Sequence, residues 1–421
     1  MKQEQAPAHE SARLNASGGD AQPPSSLTPA DEKRAIMLLA LAAFVSSSAF
    51  RICDAMLPQL ALDFNTTTGG AAHVVTAFAI AYGFVQIVFG PVGDRYGKYR
   101  VIAFATLACA IGSSVAALAT SLPVLIAARA VSGAAGAGIV PLSMAWIGDN
   151  VPYERRQETL ARFLTGTILG MSTGQVLGGV FADTVGWRWA FALLVIGYIV
   201  VGVLLQRELV RQRRTHDVPT EGQARPRFVA QALVVWRTPW ARVVLAAAFI
   251  EGMLVFGSLA FAPSYLHTRF GLSLTLAGAV VAVYAAGGLV YTMVARRVVA
   301  RLGESGMVVA GGIVLGLAFL LYLIGPVWAF SLGASVMAGF GYYLLHATLQ
   351  TNATQMVPSA RGTAVAWFAS CLFMGQAVGV AIAGMLVDAA GAVWIFGSSA
   401  MLLPVLGAAF GVALKRRKAA I

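Results

Sequence analysis

Apolar runs of about 20 residues, separated by short polar breaks, repeat along the chain from about residue 35 to residue 414. At 1.5 Å per residue, a helical run of that length crosses a hydrocarbon core of roughly 30 Å. The pattern predicts spanning helices at about 35–58, 71–92, 101–120, 123–147, 160–182 and 188–206, then 242–265, 274–295, 305–325, 328–351, 363–387 and 392–414. The longest polar break, Gln206 to about Gln231, contains Arg211, Arg213, Arg214, Arg225 and Arg227 with Pro219 and Pro226, and divides the spans into six and six. Gly97 recurs as Gly303 and Pro152 as Pro358, both 206 positions on, which argues for an internal repeat. The expected fold is an all-α membrane protein of twelve transmembrane helices in two pseudo-symmetric six-helix bundles. Its parts are an N-terminal tail (1–34), a first bundle (35–206), a basic linker (207–241), a second bundle (242–414) and a basic tail (415–421).

Composition adds the setting. With 58% hydrophobic and 11% charged residues, the chain is too apolar for a soluble protein of 421 residues. The net charge of +12 would suggest nucleic acid in a soluble domain, but the basic residues fall in alternate loops. They are Lys33 and Arg34; Arg95, Lys98 and Arg100; Arg155 and Arg156; the run from Arg207 to Arg242; Arg296, Arg297 and Arg301; Arg361; and Lys415 to Lys418, while the intervening loops carry almost none, with Arg188 and Arg269 the exceptions. This is the positive-inside pattern, so both termini are expected in the cytoplasm, in a plasma (inner) membrane, with the lipid bilayer and not nucleic acid as the surroundings. The first 30 residues lack the apolar stretch of a signal peptide and read as a disordered tail. Cys53, Cys109 and Cys371 lie in apolar runs without metal or disulfide spacing and read as small core residues.

One loop concentrates charge and glycine between two nearly uncharged spans: Gly90-x-x-x-Asp94-Arg95-x-Gly97-Lys98-x-Arg100. It resembles the signature between helices two and three of the major facilitator superfamily. The resemblance extends over about 35–414 and implies a carrier fold. In the family Asp94 would act in a gate, its carboxylate meeting the start of the eleventh helix near Ser359, with Arg95, Lys98, Arg100 and Asp149 completing the charge cluster. In the second copy of the loop Ala300 stands where Asp94 would be. The fifth span reads Gly166-x-x-x-Gly170-x-x-x-Gly174-Gln175-x-x-Gly178-Gly179, small residues that allow close helix contact, with Gly287 and Gly288 of the eighth span as a candidate opposing face. It resembles the motif of drug:proton antiporters, except that Gln175 replaces the usual proline. Gly186-Trp187-Arg188-Trp189-Ala190-Phe191 resembles the start of the sixth span in those exporters, and Asp388 and Trp394 echo Asp183 and Trp189.

Ionisable residues at membrane depth are costly, so each is a candidate site. Glu251 lies about ten residues into the seventh span with no cation within four positions, as suits a carboxylate that holds and releases a proton. The alternative is a permanently protonated acid bonded to a neighbouring helix. Arg129, with Gly133 after it, resembles the family's fourth-helix Arg-x-x-x-Gly element, which is associated with proton coupling; the other reading is an arginine that fastens helices through backbone carbonyls. Arg51 and Asp54, three residues apart, share a helical face before Pro58, where the helix is expected to end or bend. They either neutralise each other or, as Asp54 does in the family's Asp-x-x-x-Pro segment, offer a proton or cation site in the partly hydrated outer third. Tyr342, His346, Gln350 and Asn352 form a polar strip in the tenth span, and its Tyr342, His346 and Gln350, with Arg51 and Gln175, are the candidate lining of a substrate cavity.

Together these point to proton-coupled export of a small amphipathic compound by alternating access, in a carrier that functions as a monomer. The rivals are a metabolite uptake symporter, an intramembrane enzyme, and a sensor or scaffold without flux. No His-x-x-x-His, Cys-x-x-Cys, paired-aspartate or nucleotide-binding glycine loop appears, so no cofactor or metal is expected and an ion gradient is the expected energy source.

Overall fold

The computed structural model describes residues 28–215 and 228–419, and every regular element among them is helical. The expected tail up to residue 27, the centre of the linker (216–227) and residues 420–421 lie outside the described residues.

Helix α1 (Pro29–Arg51) starts earlier than hydropathy suggests, because Thr28 caps it: the Asp31 N–H donates to its hydroxyl at 3.2 Å, and Asp31 and Glu32 occupy the first turn. The chain breaks at Arg51, and residues 52–56 turn before α2 (Leu57–Asp63), which carries Pro58 in its first turn. The break therefore precedes Pro58, whose fixed φ suits a helix start better than an interior. Then come α3 (Thr68–Ala71), α4 (His73–Tyr96) and α5 (Lys98–Ala117), with α6 (Leu122–Gly136) and α7 (Ile139–Asn150) dividing the fourth expected span. Next are α8 (Tyr153–Asp183) and α9 (Trp187–Thr215). Helix α9 runs past its expected end at 206, since Glu208, 3% exposed, is held at 2.9 Å by Arg211 one turn on.

The expected linker also contains a helix, α10 (Phe228–Arg237), with Trp236 edge-on to Trp367 at 5.2 Å. Beyond it, α11 (Pro239–Glu251) passes through one π-helical stretch, Gly252–Phe256, into α12 (Gly257–Phe270). The remaining helices are α13 (Leu274–Ala282), α14 (Tyr284–Ile324), α15 (Ala329–Gln355), α16 (Arg361–Ala390) and α17 (Val393–Ala419). Among the described residues nine stretches are long and apolar enough to cross a membrane, the longest being the 51 residues Leu274–Ile324. That stretch is interrupted at Gly303, φ 61°, the counterpart of Gly97, φ 88°, so both copies of the loop use a backbone that only glycine adopts without strain.

Helix α8 lies on α1 through its glycine ladder. A Cβ on Gly170, Gly174 or Gly178 would come within 2.4, 2.2 and 2.0 Å of the carbonyl oxygens of Phe44, Ser48 and Ile52. The Ser48 hydroxyl donates to the Gly170 carbonyl at 2.9 Å, tightening the same contact. The second half repeats the arrangement, with Gly375 and Gly379 of α16 against the Phe249 and Met253 carbonyls. The opposing face is thus α1. Gly287 and Gly288 do not supply it: they pack against Val336, Phe340 and Tyr343 of α15. Gly179 turns to the second half, its Cβ position 2.3 Å from the Leu274 carbonyl.

The halves meet chiefly where α4 crosses α16 and α8 crosses α13. Phe373 of α16 inserts between Phe50, 5.4 Å away edge-on, and Tyr82, 4.4 Å away, in an aromatic cluster that includes Phe78.

Candidate functional site

Glu251 ends α11 at the point where the backbone widens into the π-helical stretch. Its side chain is fully buried, yet it is not the lone acid expected from its helix. His346 Nδ1 lies 2.9 Å from Oε2, a contact between residues 95 positions apart that α15 supplies. The other carboxyl oxygen, Oε1, is buried without a hydrogen-bond partner. Tyr342, one turn before His346, stacks on its imidazole with centroids 4.7 Å apart and planes 16° apart, and Phe368 of α16 flanks it at 5.4 Å. His346 keeps 13% of its side chain exposed, so the pair has one fully buried member and one that is partly exposed. Gln350, the next residue of the strip, is exposed, and Asn352 instead bonds back to the Thr348 carbonyl at 3.0 Å.

A second charged pair lies in the first half. Arg51 Nη1 donates to Asp54 Oδ2 at 2.9 Å, and the two residues are 5% and 0% exposed. That burial corrects the expectation of a partly hydrated position, because the turn at 52–56 folds Asp54 inward. Asp54 Oδ1 has no hydrogen-bond partner. The Arg51 guanidinium lies 4.6 Å from the centre of the Phe256 ring, and Phe256 is edge-on to Tyr342 at 5.1 Å. A chain of aromatic contacts therefore links the Arg51 and Asp54 pair to the His346 and Glu251 pair across the two halves. Gln175 of α8 is buried with its amide nitrogen unpartnered, beside α13: a Cβ on Gly278 would come 2.6 Å from the Gln175 carbonyl.

Arg129 of α6 is 1% exposed and has no carboxylate in hydrogen-bond contact among the described residues. It donates to the Ala49 carbonyl of α1 at 2.9 Å and to the Val74 carbonyl of α4 at 3.4 Å, with Phe78 under its guanidinium at 4.1 Å. Such bonds clamp three helices, and Ala49 directly precedes Phe50 and Arg51. Nη2 remains buried without a partner.

In the charged loop, Lys98 Nζ bridges Asp94 at 3.3 Å and Asp149 at 2.5 Å. Asp94 is largely exposed, and its partner here is Lys98 rather than the start of α16 near Ser359. Arg95 and Arg100 lie over the rings of Tyr96 and Phe104 at 5.1 and 5.8 Å. Gly90 has open space around it. A groove of about 400 Å³ beside this loop, lined by Phe89, Val92, Tyr96, Arg100 and Phe104, shares no residue with either buried pair. Two buried acids that sequence reading passed over also sit among basic residues. Glu32 is 4% exposed and 3.1 Å from Arg155, and Glu208 is 3.9 Å from Arg34. Their signal was acids at helix ends among basic loops.

The sequence profile of the Major Facilitator Superfamily matches residues 39–358, three quarters of the chain. The chain belongs to the major facilitator superfamily. It is a multi-pass membrane protein of a transporter family, as its signature loop implies. The uncharacterized MFS-type transporter YceJ of Bacillus subtilis (strain 168) is 24% identical over 351 residues, 82% of this chain and 86% of YceJ. The multidrug export protein EmrB of Escherichia coli (strain K12) is 29% identical over 178 residues, 42% of this chain and 35% of EmrB. Among solved structures, a bacterial homolog of the human lysosomal transporter Spinster, in an inward-facing and unoccupied conformation, superimposes with a TM-score of 0.71 at 16% identity, covering 93% of this chain and 98% of that one. This likeness shows the major facilitator fold expected from the hydropathy pattern and the loop.

Proposed function

We propose that this chain is a proton-coupled secondary carrier that exports small amphipathic organic compounds by alternating access. In this reading two six-helix bundles, 35–206 and 242–414, rock about a central cavity, with both termini in the cytoplasm of a cell whose inner membrane holds the carrier as a monomer. The observation that carries it is the buried Glu251 and His346 pair. With one proton shared along the 2.9 Å contact, the pair is net neutral as acid plus imidazole or as carboxylate plus imidazolium. Losing that proton leaves a net negative charge in a low-dielectric setting, which is costly unless a cation or a new proton arrives. Proton release and cation arrival are thereby coupled at one place, with His346, Tyr342 and Arg51 facing the compound and Asp54 as a second acid. Arg129 would hold α1 and α4 in the arrangement that keeps the Arg51 and Asp54 pair buried, and the Asp94, Lys98 and Asp149 cluster would act at the basic end as a gate. EmrB, a multidrug export protein, matches over 178 residues, which supports export as the direction and drug-like compounds as cargo.

A second reading, uptake by symport, is favoured by one observation: α8 runs unbroken from Tyr153 to Asp183 through Gln175, where the antiporter motif has proline. Inverted vesicles given an inward-acidic pH gradient and a panel of cationic and neutral compounds separate the two. Accumulation that collapses with a protonophore supports export. Accumulation only in right-side-out vesicles refutes it.

A further inference from the structure

At the end opposite the basic loops, two aspartates each reach from one half of the chain into the other. Asp183, the last residue of α8, accepts the Leu274 N–H at 3.1 Å through Oδ1, and through Oδ2 the Thr275 N–H and hydroxyl, both at 2.6 Å. Asp388, near the end of α16, accepts the Gly69 N–H at 3.0 Å through Oδ1 and the Thr67 hydroxyl at 2.6 Å through Oδ2. In both places the donors belong to the first residues of the partner helix, where backbone N–H groups have no intrahelical acceptor. A glycine one turn before each aspartate brings the backbones together: Gly179 meets the Leu274 carbonyl, and Gly384 meets Gly69, at whose Cβ position the Asp388 carboxylate already lies 2.3 Å away.

The two contacts are copies. Gly179 and Asp183 recur 205 positions on as Gly384 and Asp388, and the N-caps Thr67 and Ser273 are 206 apart. Yet each copy crosses in the opposite sense, the first half gripping α13 and the second half gripping α3. Both aspartates are exposed to water, so the contacts can be made and broken without burying an unpaired carboxylate.

We propose that Asp183 and Asp388 are paired latches that hold this end closed and are released once per transport cycle. The proposal rests on the alternating-access reading above. It assigns a positioning role in transport to two residues outside the buried pairs and the basic loop.

The chemistry predicts unequal effects. In Asp183→Asn the amide nitrogen would face a backbone N–H or the Thr275 pair, two donors against each other. In Asp388→Asn the amide oxygen can keep the Gly69 N–H while the Thr67 hydroxyl rotates to accept from the amide nitrogen, so both contacts survive. Asp183→Asn should therefore loosen the end more than Asp388→Asn, and the double variant most.

The test uses the full chain in lipid nanodiscs with its three native cysteines replaced by serine. Spin labels are placed on Leu118→Cys and Val327→Cys at the latched end, and in a second sample on Tyr153→Cys and Leu302→Cys at the basic end; all four positions are exposed. Distances are measured at acidic and at alkaline pH, each with and without tetraphenylphosphonium as a lipophilic cation probe. The expected result is a larger long-distance population at the latched end, in the order double variant, Asp183→Asn, Asp388→Asn, parent, with reciprocal shortening at the basic end. Thr275→Ala, which removes one donor from the other side, should shift the populations the same way by less. Variants whose distributions match a parent that itself samples both states overturn the latches and leave alternating access standing. A parent with one unchanging distance at each end overturns alternating access and the latches with it.

Discussion

The glycine ladder between α8 and α1 makes the sharpest test of how closely these helices depend on each other. A Cβ on Gly174 would lie 2.2 Å from the Ser48 carbonyl oxygen and 2.8 Å from Ser48 Cα. Nonbonded carbon rests at about 3.5 Å or more, so alanine there forces the backbones roughly 1 Å apart. Forced overpacking costs about 1–3 kcal/mol, and alanine returns about 1 kcal/mol of helix propensity, leaving a net loss of up to about 2 kcal/mol. Valine, with two more methyl groups against the same carbonyl, should cost more and release the Ser48 hydroxyl from Gly170. Gly166 is the internal control. It stands on the same face, but its Cβ position is 3.6 Å from the Ala40 carbonyl, ordinary contact. Gly166→Ala should therefore be neutral or stabilising. The assay is thermal unfolding of the detergent-purified protein, followed by the fraction remaining monodisperse after heating. Gly174→Ala melting at or above wild type, or the two alanine variants losing stability equally, would show that the ladder is loose and refute the reasoning.

Glu251→Gln keeps the shape of the buried site but removes its charge, so transport should lose its response to a pH gradient and cationic compounds should bind more weakly than neutral ones; wild-type accumulation of both in inverted vesicles would make Glu251 structural and move attention to Asp54. Arg129→Lys cannot bond the Ala49 and Val74 carbonyls together, and losing one charge-assisted bond of about 1.5–3 kcal/mol should reduce proton-driven transport tenfold or more; full activity would count against the clamp. Asp94→Asn removes an exposed ion pair with Lys98 that adds little stability, so the melting temperature and compound binding should hold while transport slows. Abolished binding with an unchanged conformational cycle would place Asp94 in the cavity instead.

Much of this protein was legible in one dimension, because a bilayer imposes its rule on each segment separately: length, apolarity and charged loops set the spans, and Gly97 and Gly303 mark the turns only glycine makes. The loop from Gly90 to Arg100 and the fifth-span glycines were legible for the same local reason. Helix ends were less so, since Thr28 and the Glu208 and Arg211 pair extend α1 and α9 through hydrogen bonds that hydropathy does not count. What only the tertiary structure decided is partnership. Glu251 had no cation near it in sequence, but α15 brings His346 from 95 positions away. Arg129 grips carbonyls of two other helices, the glycine ladder meets α1 rather than Gly287 and Gly288, and Asp183 and Asp388, a faint echo in sequence, are bonds between the halves. A buried polar group must find its partner across whichever helix lies beside it, and helix neighbours follow from packing that no single segment encodes.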